Sequence, residues 1–217
     1  MQTQSSSSQK KVYGHIFEKY RKVINCLARY DLKMFDIPKT ASILDVGCGF
    51  GDDIKQLKEH GYLSVSGVAS DPYIVKKSSG LDIRLGEITR TNYPTESMDV
   101  ILVDNVFHHI PDYSPALNEI HRILKSDGIL CFIEPKNSFY RRGMDYITFK
   151  TPLPKIFGGP FELRYQVMLE EFKTGLYPQW LRSHNHFLNL LNKHFKILWL
   201  RKNAFFWFCK AQKIGQP

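Results

Sequence analysis

The chain has 217 residues, 43% of them apolar and 24% charged, with a formal net charge of +9. This length supports one buried core with additions, and the composition is that of a folded globular domain. No apolar run reaches the ~18–20 residues of a membrane span, and Cys26, Cys48, Cys131 and Cys209 form neither a C-x-x-C pair nor a zinc-like spacing with histidine, so no metal site is expected.

Charge is distributed unevenly. Residues 1–41 carry a net +5, residues 42–135 a net −6 and residues 136–217 a net +10. An acidic centre suits a cationic ligand, and basic flanks suit an anionic substrate or surface: phosphate, carboxylate, RNA or acidic lipid. The uncombined thiols and the absence of an apolar leader in MQTQSSSSQK read as a cytoplasmic protein with a disordered start at 1–10.

Residues 12–30 place Tyr13, Ile16, Phe17, Tyr20, Val23, Ile24 and Leu27 at helical spacing, which predicts an amphipathic helix within an N-terminal segment 11–41. Strand-like runs follow near 42–47, 64–69, 82–86, 99–104 and 128–134, most of them separated by helical patterns. Such alternation predicts a mostly parallel sheet with helices on both faces. Ser114-Pro115 reads as a helix start. From 136 to 181 prolines and the Gly158-Gly159 pair break the pattern, giving a long insertion with a helix near 163–173. A helix near 181–193 and strands at 195–201 and 204–211 complete a seven-stranded sheet over 182–217, with an antiparallel last strand.

The run Ile43-Leu44-Asp45-Val46 leads straight into Gly47, Gly49 and Gly51, then into a helix-like segment closed by Gly61. Strand, glycine loop and helix start make a nucleotide-binding corner, because glycine lets backbone approach a ligand closely. The spacing is G-x-G-x-G. The sixth position of a dinucleotide fingerprint is here Asp52.

Five segments in order resemble a known family: ILDVGCGFG at 43–51, SGVASDPYIV at 66–75, RLGEI at 84–88, YPTESMDVILVDNVFHHIPD at 93–112 and ALNEIHRILKSDGILCFIEP at 116–135. Together, over 43–134, they resemble the core of a class I S-adenosylmethionine (SAM) dependent methyltransferase of the type-11 or ubiquinone-biosynthesis kind. The resemblance implies a Rossmann-like α/β fold, SAM as cofactor with its demethylated form (SAH) as product, and a SAM-binding core at 42–135.

Residue by residue, the resemblance gives the loop Gly47, Cys48, Gly49 and Gly51, with Asp45, to the methionine end of SAM. It gives Glu87 and Ile88 to the adenine, and further contacts to Pro72, Asp104 and Asn105. The family's ribose-binding acid falls at Ala69, so Asp71, two residues on, takes that place; Asp71 equally fits the N-cap of a helix begun by Pro72. His109 sits where the family has a His before an apolar residue and is the candidate base, with Tyr13 or Tyr20 of the N-terminal lid as its partner. The other reading is that His108 and His109 only shape the loop. In such enzymes the insertion at 136–181 forms a substrate lid, where Arg141, Arg142 and Arg164 would clamp an anionic group and Trp180 would wall the pocket.

The leading expectation is a methyltransferase acting at oxygen on a small-molecule or lipid- or sugar-linked acceptor of anionic character. RNA methylation is the alternative enzyme. A non-catalytic SAM-binding partner or membrane-surface protein, using the basic helix at 12–30, is the alternative outside enzymes.

Overall fold

A computed structural model describes residues 32–152, 156 and 158–215. The expected lid helix at 12–30, with Tyr13 and Tyr20, lies outside these described residues.

The chain enters by a short 3-10 turn, Leu32–Phe35. It continues through β1 (Ser42–Val46), α1 (Asp52–Glu59), β2 (Ser64–Ala69), α2 (Pro72–Lys77), β3 (Ile83–Leu85) and β4 (Met98–Asp104). A second 3-10 turn, Phe107–His109, leads to α3 (Ser114–Ile123) and β5 (Leu124–Pro135). Among the described residues the helices α4 (Phe139–Lys150), α5 (Gly159–Thr174), α6 (Leu176–Arg182) and α7 (His184–His194) follow, and then β6 (Phe195–Lys202) and β7 (Phe206–Lys213).

All seven strands form one sheet in the order β3-β2-β1-β4-β5-β7-β6. The first five strands pair in parallel, and β7 runs antiparallel to both β5 and β6. This is the mostly parallel sheet with an antiparallel last strand expected from the sequence.

Side chains alternate across the strands, so each strand feeds two cores. Leu44, Val46, Ile101, Val103, Leu130 and Phe132 face α3 and α7, where they pack with Leu117, Ile120, Phe187 and Leu191. Ile43, Val100, Leu102, Cys131 and Ile133 face the other way, onto Ile54 and Leu57 of α1 and onto Leu32 and Phe35. An aromatic cluster ties the insertion to the first core. Phe187 stands 4.8 Å from Phe107, 5.0 Å from Trp180, 5.3 Å from Tyr113 and 5.5 Å from Phe132, centroid to centroid.

Two local expectations change. The strand expected near 128–134 begins earlier, at Leu124, and takes in Ser126-Asp127-Gly128 as an irregularity where Met98 pairs with Leu124 and Val100 with Ile129. The insertion is far more helical than its sequence pattern. Ser138 caps α4 by accepting from the Arg141 N–H at 3.1 Å, and α5 runs from Gly159 to Thr174.

Phe187→Ala removes the ring on which this cluster converges. It should lower stability by ~3–5 kcal/mol, read as a fall in the denaturant midpoint. Phe139→Ala, on the exposed side of α4, should change it by less than ~0.5 kcal/mol.

Candidate active site

The carboxyl ends of the parallel strands form one rim, the place where open α/β sheets hold ligands. At the end of β1 the chain turns through Gly47, Gly49 and Gly51, all with positive φ. The Gly47 and Cys48 N–H groups both donate to the Val68 carbonyl, at 2.8 and 3.1 Å, which pins the loop to β2. A Cβ at Gly47 would lie 2.3 Å from a Val106 methyl, so only glycine fits there. A Cβ at Gly49 would meet nothing within 4 Å, so this residue borders open space.

Three carboxylates gather beneath the loop. Asp45 is buried in β1, and its Oδ2 has no hydrogen-bond partner. Burial, with repulsion from Asp53 and Asp104, raises its pKa well above the usual range. Asp53, in the first turn of α1, is held up to about 6 by burial and by Asp52, against a lowering hydrogen bond with Asp104. The Asn105 side-chain amide donates to Asp104 at 2.8 Å. Cys48 is a buried thiol whose pKa is pushed up by desolvation and by Asp45, so it is no nucleophile.

At the end of β2, Asp71 does two things. Its Oδ1 accepts from the Tyr73 N–H at 2.8 Å, capping α2 ahead of Pro72. Its Oδ2 is buried without a partner. The N-cap reading is therefore seen directly, and it leaves one oxygen for another donor. Glu87 is exposed in a turn closed onto Arg90, and Ile88 beside it is buried.

The other half of the rim follows β4. Glu134, fully buried at the end of β5, accepts from the Val106 and Phe107 N–H groups through Oε1, at 2.7 and 2.6 Å. Its Oε2 lies 2.7 Å from Nδ1 of His108. On the far side of that ring Nε2 stands 3.9 Å from Oε1 of Glu171, which arrives from α5. Burial opposes charge on His108, yet Glu134 and then Glu171 outweigh it and hold the imidazole up to about 10, so it is a cation at neutral pH. His109 lies beside it, ring centroids 4.0 Å apart and planes tilted by 43°, with an accessible side chain. Its dense protein surroundings and the His108 charge hold His109 down to about 3. Both effects favour the neutral ring.

The expected anion clamp is not assembled. Arg141 is buried, donating to the Tyr177 hydroxyl at 3.2 Å and the Phe205 carbonyl at 2.8 Å. Arg164 pairs with Asp145 at 2.6 Å and donates to Thr148 at 3.0 Å. Trp180 is in the core, its Nε1 donating to the Pro135 carbonyl at 2.7 Å, and so does not wall a surface pocket. These groups anchor the insertion, because its buried polar atoms need partners; only Arg142 of the set is exposed. Sequence reasoning missed Glu171, because nothing in the sequence separates it from Glu170 beside it or from Glu162 and Asp145 in the same insertion.

Residues 44–132 match the family described as a methyltransferase domain. Over 102 residues the chain is 29% identical to the 2-methyl-6-phytyl-1,4-hydroquinone methyltransferase of Synechocystis, a match covering 43% of this chain and 32% of that protein. It is 26% identical over 103 residues to the sterol 24-C-methyltransferase of Aspergillus fumigatus, covering 43% and 27% respectively. The chain thus spans about a third of the length of these curated relatives. Among solved structures, a SAM-dependent methyltransferase from Thermotoga maritima superposes with a TM-score of 0.63 at 15% identity, covering 94% of this chain and 99% of the other. Matched domain and strand order agree: residues 44–132 carry a methyltransferase domain, in a chain with the fold of class I SAM-dependent methyltransferases.

Proposed function

We propose that the chain transfers the methyl group of SAM to a hydroxyl of an apolar, lipid-linked small molecule. One observation carries the cofactor half of this reading: a buried carboxylate, Asp45, and a half-buried one, Asp53, beneath an open glycine loop. Asp45 and Asp53 are held in a setting that disfavours their ionisation, which a cationic ligand would relieve. SAM brings a positive sulfonium whose methyl group is already electrophilic, so the protein has mainly to bind and orient.

The residues fit that cofactor. Gly47, Cys48, Gly49 and Gly51, with Asp45, would hold the methionine end. Asp71 would receive a ribose hydroxyl on Oδ2, its unpartnered oxygen. Glu87 and Ile88 would border the adenine, and Asp104 and Asn105 would close the rim.

The acceptor half has different support. The two relatives are named for a phytyl hydroquinone and a sterol, both strongly apolar. No arginine clamp assembles among the described residues, so the reading keeps the lipid-linked acceptor and sets the anionic one aside. Helix α4 presents Phe139, 85% exposed, with Tyr140, Tyr146, Arg142 and Lys150. Aromatic and basic residues on one exposed helix suit the surface of an anionic bilayer. No described helix is long and apolar enough to cross a membrane.

Calorimetric titration with SAM tests the cofactor site. Wild type should bind it, and Asp71→Ala and Gly49→Val should each weaken binding at least about tenfold, by analogy with lost charge-assisted hydrogen bonds and a filled cradle. Folded wild type that fails to bind SAM would sink the reading. Transfer of labelled methyl to RNA but not to a lipid extract would replace the acceptor.

The same carboxylates set a pH dependence. Asp53 lies at about 6 in the folded chain, above the ordinary carboxylate value, so its ionisation burdens the fold above that pH and acidification relieves it. A cation needs the ionised form. SAM affinity should therefore fall about tenfold from pH 7.5 to pH 5. Asp53→Asn should flatten that profile and make the ligand-free protein more stable at pH 7.5.

Co-sedimentation tests the bilayer surface. The protein should bind vesicles of anionic, not neutral, lipid, less tightly in high salt. Phe139→Ser with Tyr146→Ser should reduce the bound fraction severalfold without shifting the melting temperature.

A further inference from the structure

The pair His108 and Glu134 has a geometry that a structural ion pair does not need. One carboxylate oxygen of Glu134 fixes Nδ1 of the ring at 2.7 Å, leaving Nε2 to point away from it. What Nε2 meets is Glu171, at 3.9 Å, too far for a hydrogen bond. His109 brings a second imidazole, and one ligating atom from each of His108, His109 and Glu171 lies within 4.8 Å of the others.

We propose that His108, His109 and Glu171 form a binding site for one divalent transition cation of the Zn2+ type, with Glu134 orienting His108 from behind.

Four physical points carry this. Two imidazoles and one carboxylate are a donor set that favours Zn2+ and its neighbours over Mg2+, which demands an all-oxygen shell. A carboxylate on the remote nitrogen of a ligating histidine is the usual way a protein fixes tautomer and ring direction. The separations are the right size. Ligand atoms at ~2.0–2.2 Å from a tetrahedral ion lie ~3.3–3.6 Å apart, so side-chain adjustments of around an ångström would close the set. Access is also provided for: His108 and Glu171 are buried, whereas the His109 side chain is reachable from outside.

The ion would take the place of the proton on Nε2 of His108. Three protein ligands leave a fourth position open, which is the pattern of a catalytic rather than a structural site. On the methyltransferase reading, an acceptor hydroxyl in that position would lose its proton to solvent water, and the cation would stabilise the oxyanion left behind. His109 would then serve as a ligand and not as the base. The site also joins the two halves of the chain, since Glu171 comes from the insertion and both histidines from the loop after β4.

The test uses the full chain stripped with a chelator, titrated with Zn2+ by calorimetry and with Co2+ by visible absorption, with Mg2+ as a comparison. One Zn2+ or Co2+ should bind per chain, Co2+ giving the intense visible bands of a four-coordinate ion, and Mg2+ should bind far more weakly. His109→Asn and Glu171→Gln should each weaken binding more than tenfold, and Glu134→Gln by ten- to a hundredfold through the orientation of His108. Absence of stoichiometric binding, affinity unchanged in His109→Asn and Glu171→Gln, or preference for Mg2+ would each overturn the proposal. SAM binding measured on the same preparations confirms that each variant is folded. It also separates the two ideas: SAM bound without metal removes the cation site alone, and metal bound without SAM removes the methyltransferase reading alone.

Discussion

One buried carboxylate organises the rim. Glu134 has no exposed surface, and an ionised carboxyl there is tolerable only if donors surround it. It finds two backbone N–H groups and an imidazole in the loop after β4. Losing it would orphan all three, at ~1–3 kcal/mol for each buried donor. The consequence reaches across the site. Fixing the Val106 N–H places the Val106 backbone, which carries the side chain whose methyl occupies the space a Cβ at Gly47 would need. The glycine loop and the histidine loop are therefore set against each other by one anion at the end of β5.

The opposite half of the rim works by the reverse principle. Glu134 is satisfied, whereas Asp45 keeps one oxygen without a partner and is repelled by both Asp53 and Asp104. Such an arrangement detracts from the stability of the ligand-free chain. Locally unfavourable electrostatics persist where a ligand completes them.

The legible part of the fold is the part whose determinants are local. β1 and β4 are short apolar runs bounded by polar or glycine residues, and their alternating side chains face two cores, so pattern and structure coincide. Helix α4 shows the opposite case. Gly143, Ile147, Thr148 and several aromatics give it poor intrinsic propensity, and the Ser138 cap with Arg141 and Arg164 holds it in place. Those partners are distant in sequence, so the segment reads as broken. The sequence shows the arginines but not their pairing with Asp145 and the Phe205 carbonyl, so an internal anchor has the same pattern as an anion clamp. Asp71 fell between: its cap was readable from Pro72, while its unpartnered Oδ2 is a property of the folded chain alone.

Glu171 makes the same point about function. His108 and His109 stand next to each other in the sequence, and nothing there distinguishes a loop-shaping pair from a ligating one. The third group comes from a helix more than sixty residues on, carried in by an insertion anchored through Arg141, Arg164 and Trp180. The anchors and the site are therefore coupled. A change that loosens α5 withdraws a carboxylate from His108 before it disturbs the glycine loop, because that loop is pinned to β2 and β4, elements the insertion does not contribute to. On the reading proposed here, cofactor binding belongs to the parallel sheet and acceptor chemistry to the place where the insertion meets it, so the two are separable by mutation even though they share one rim.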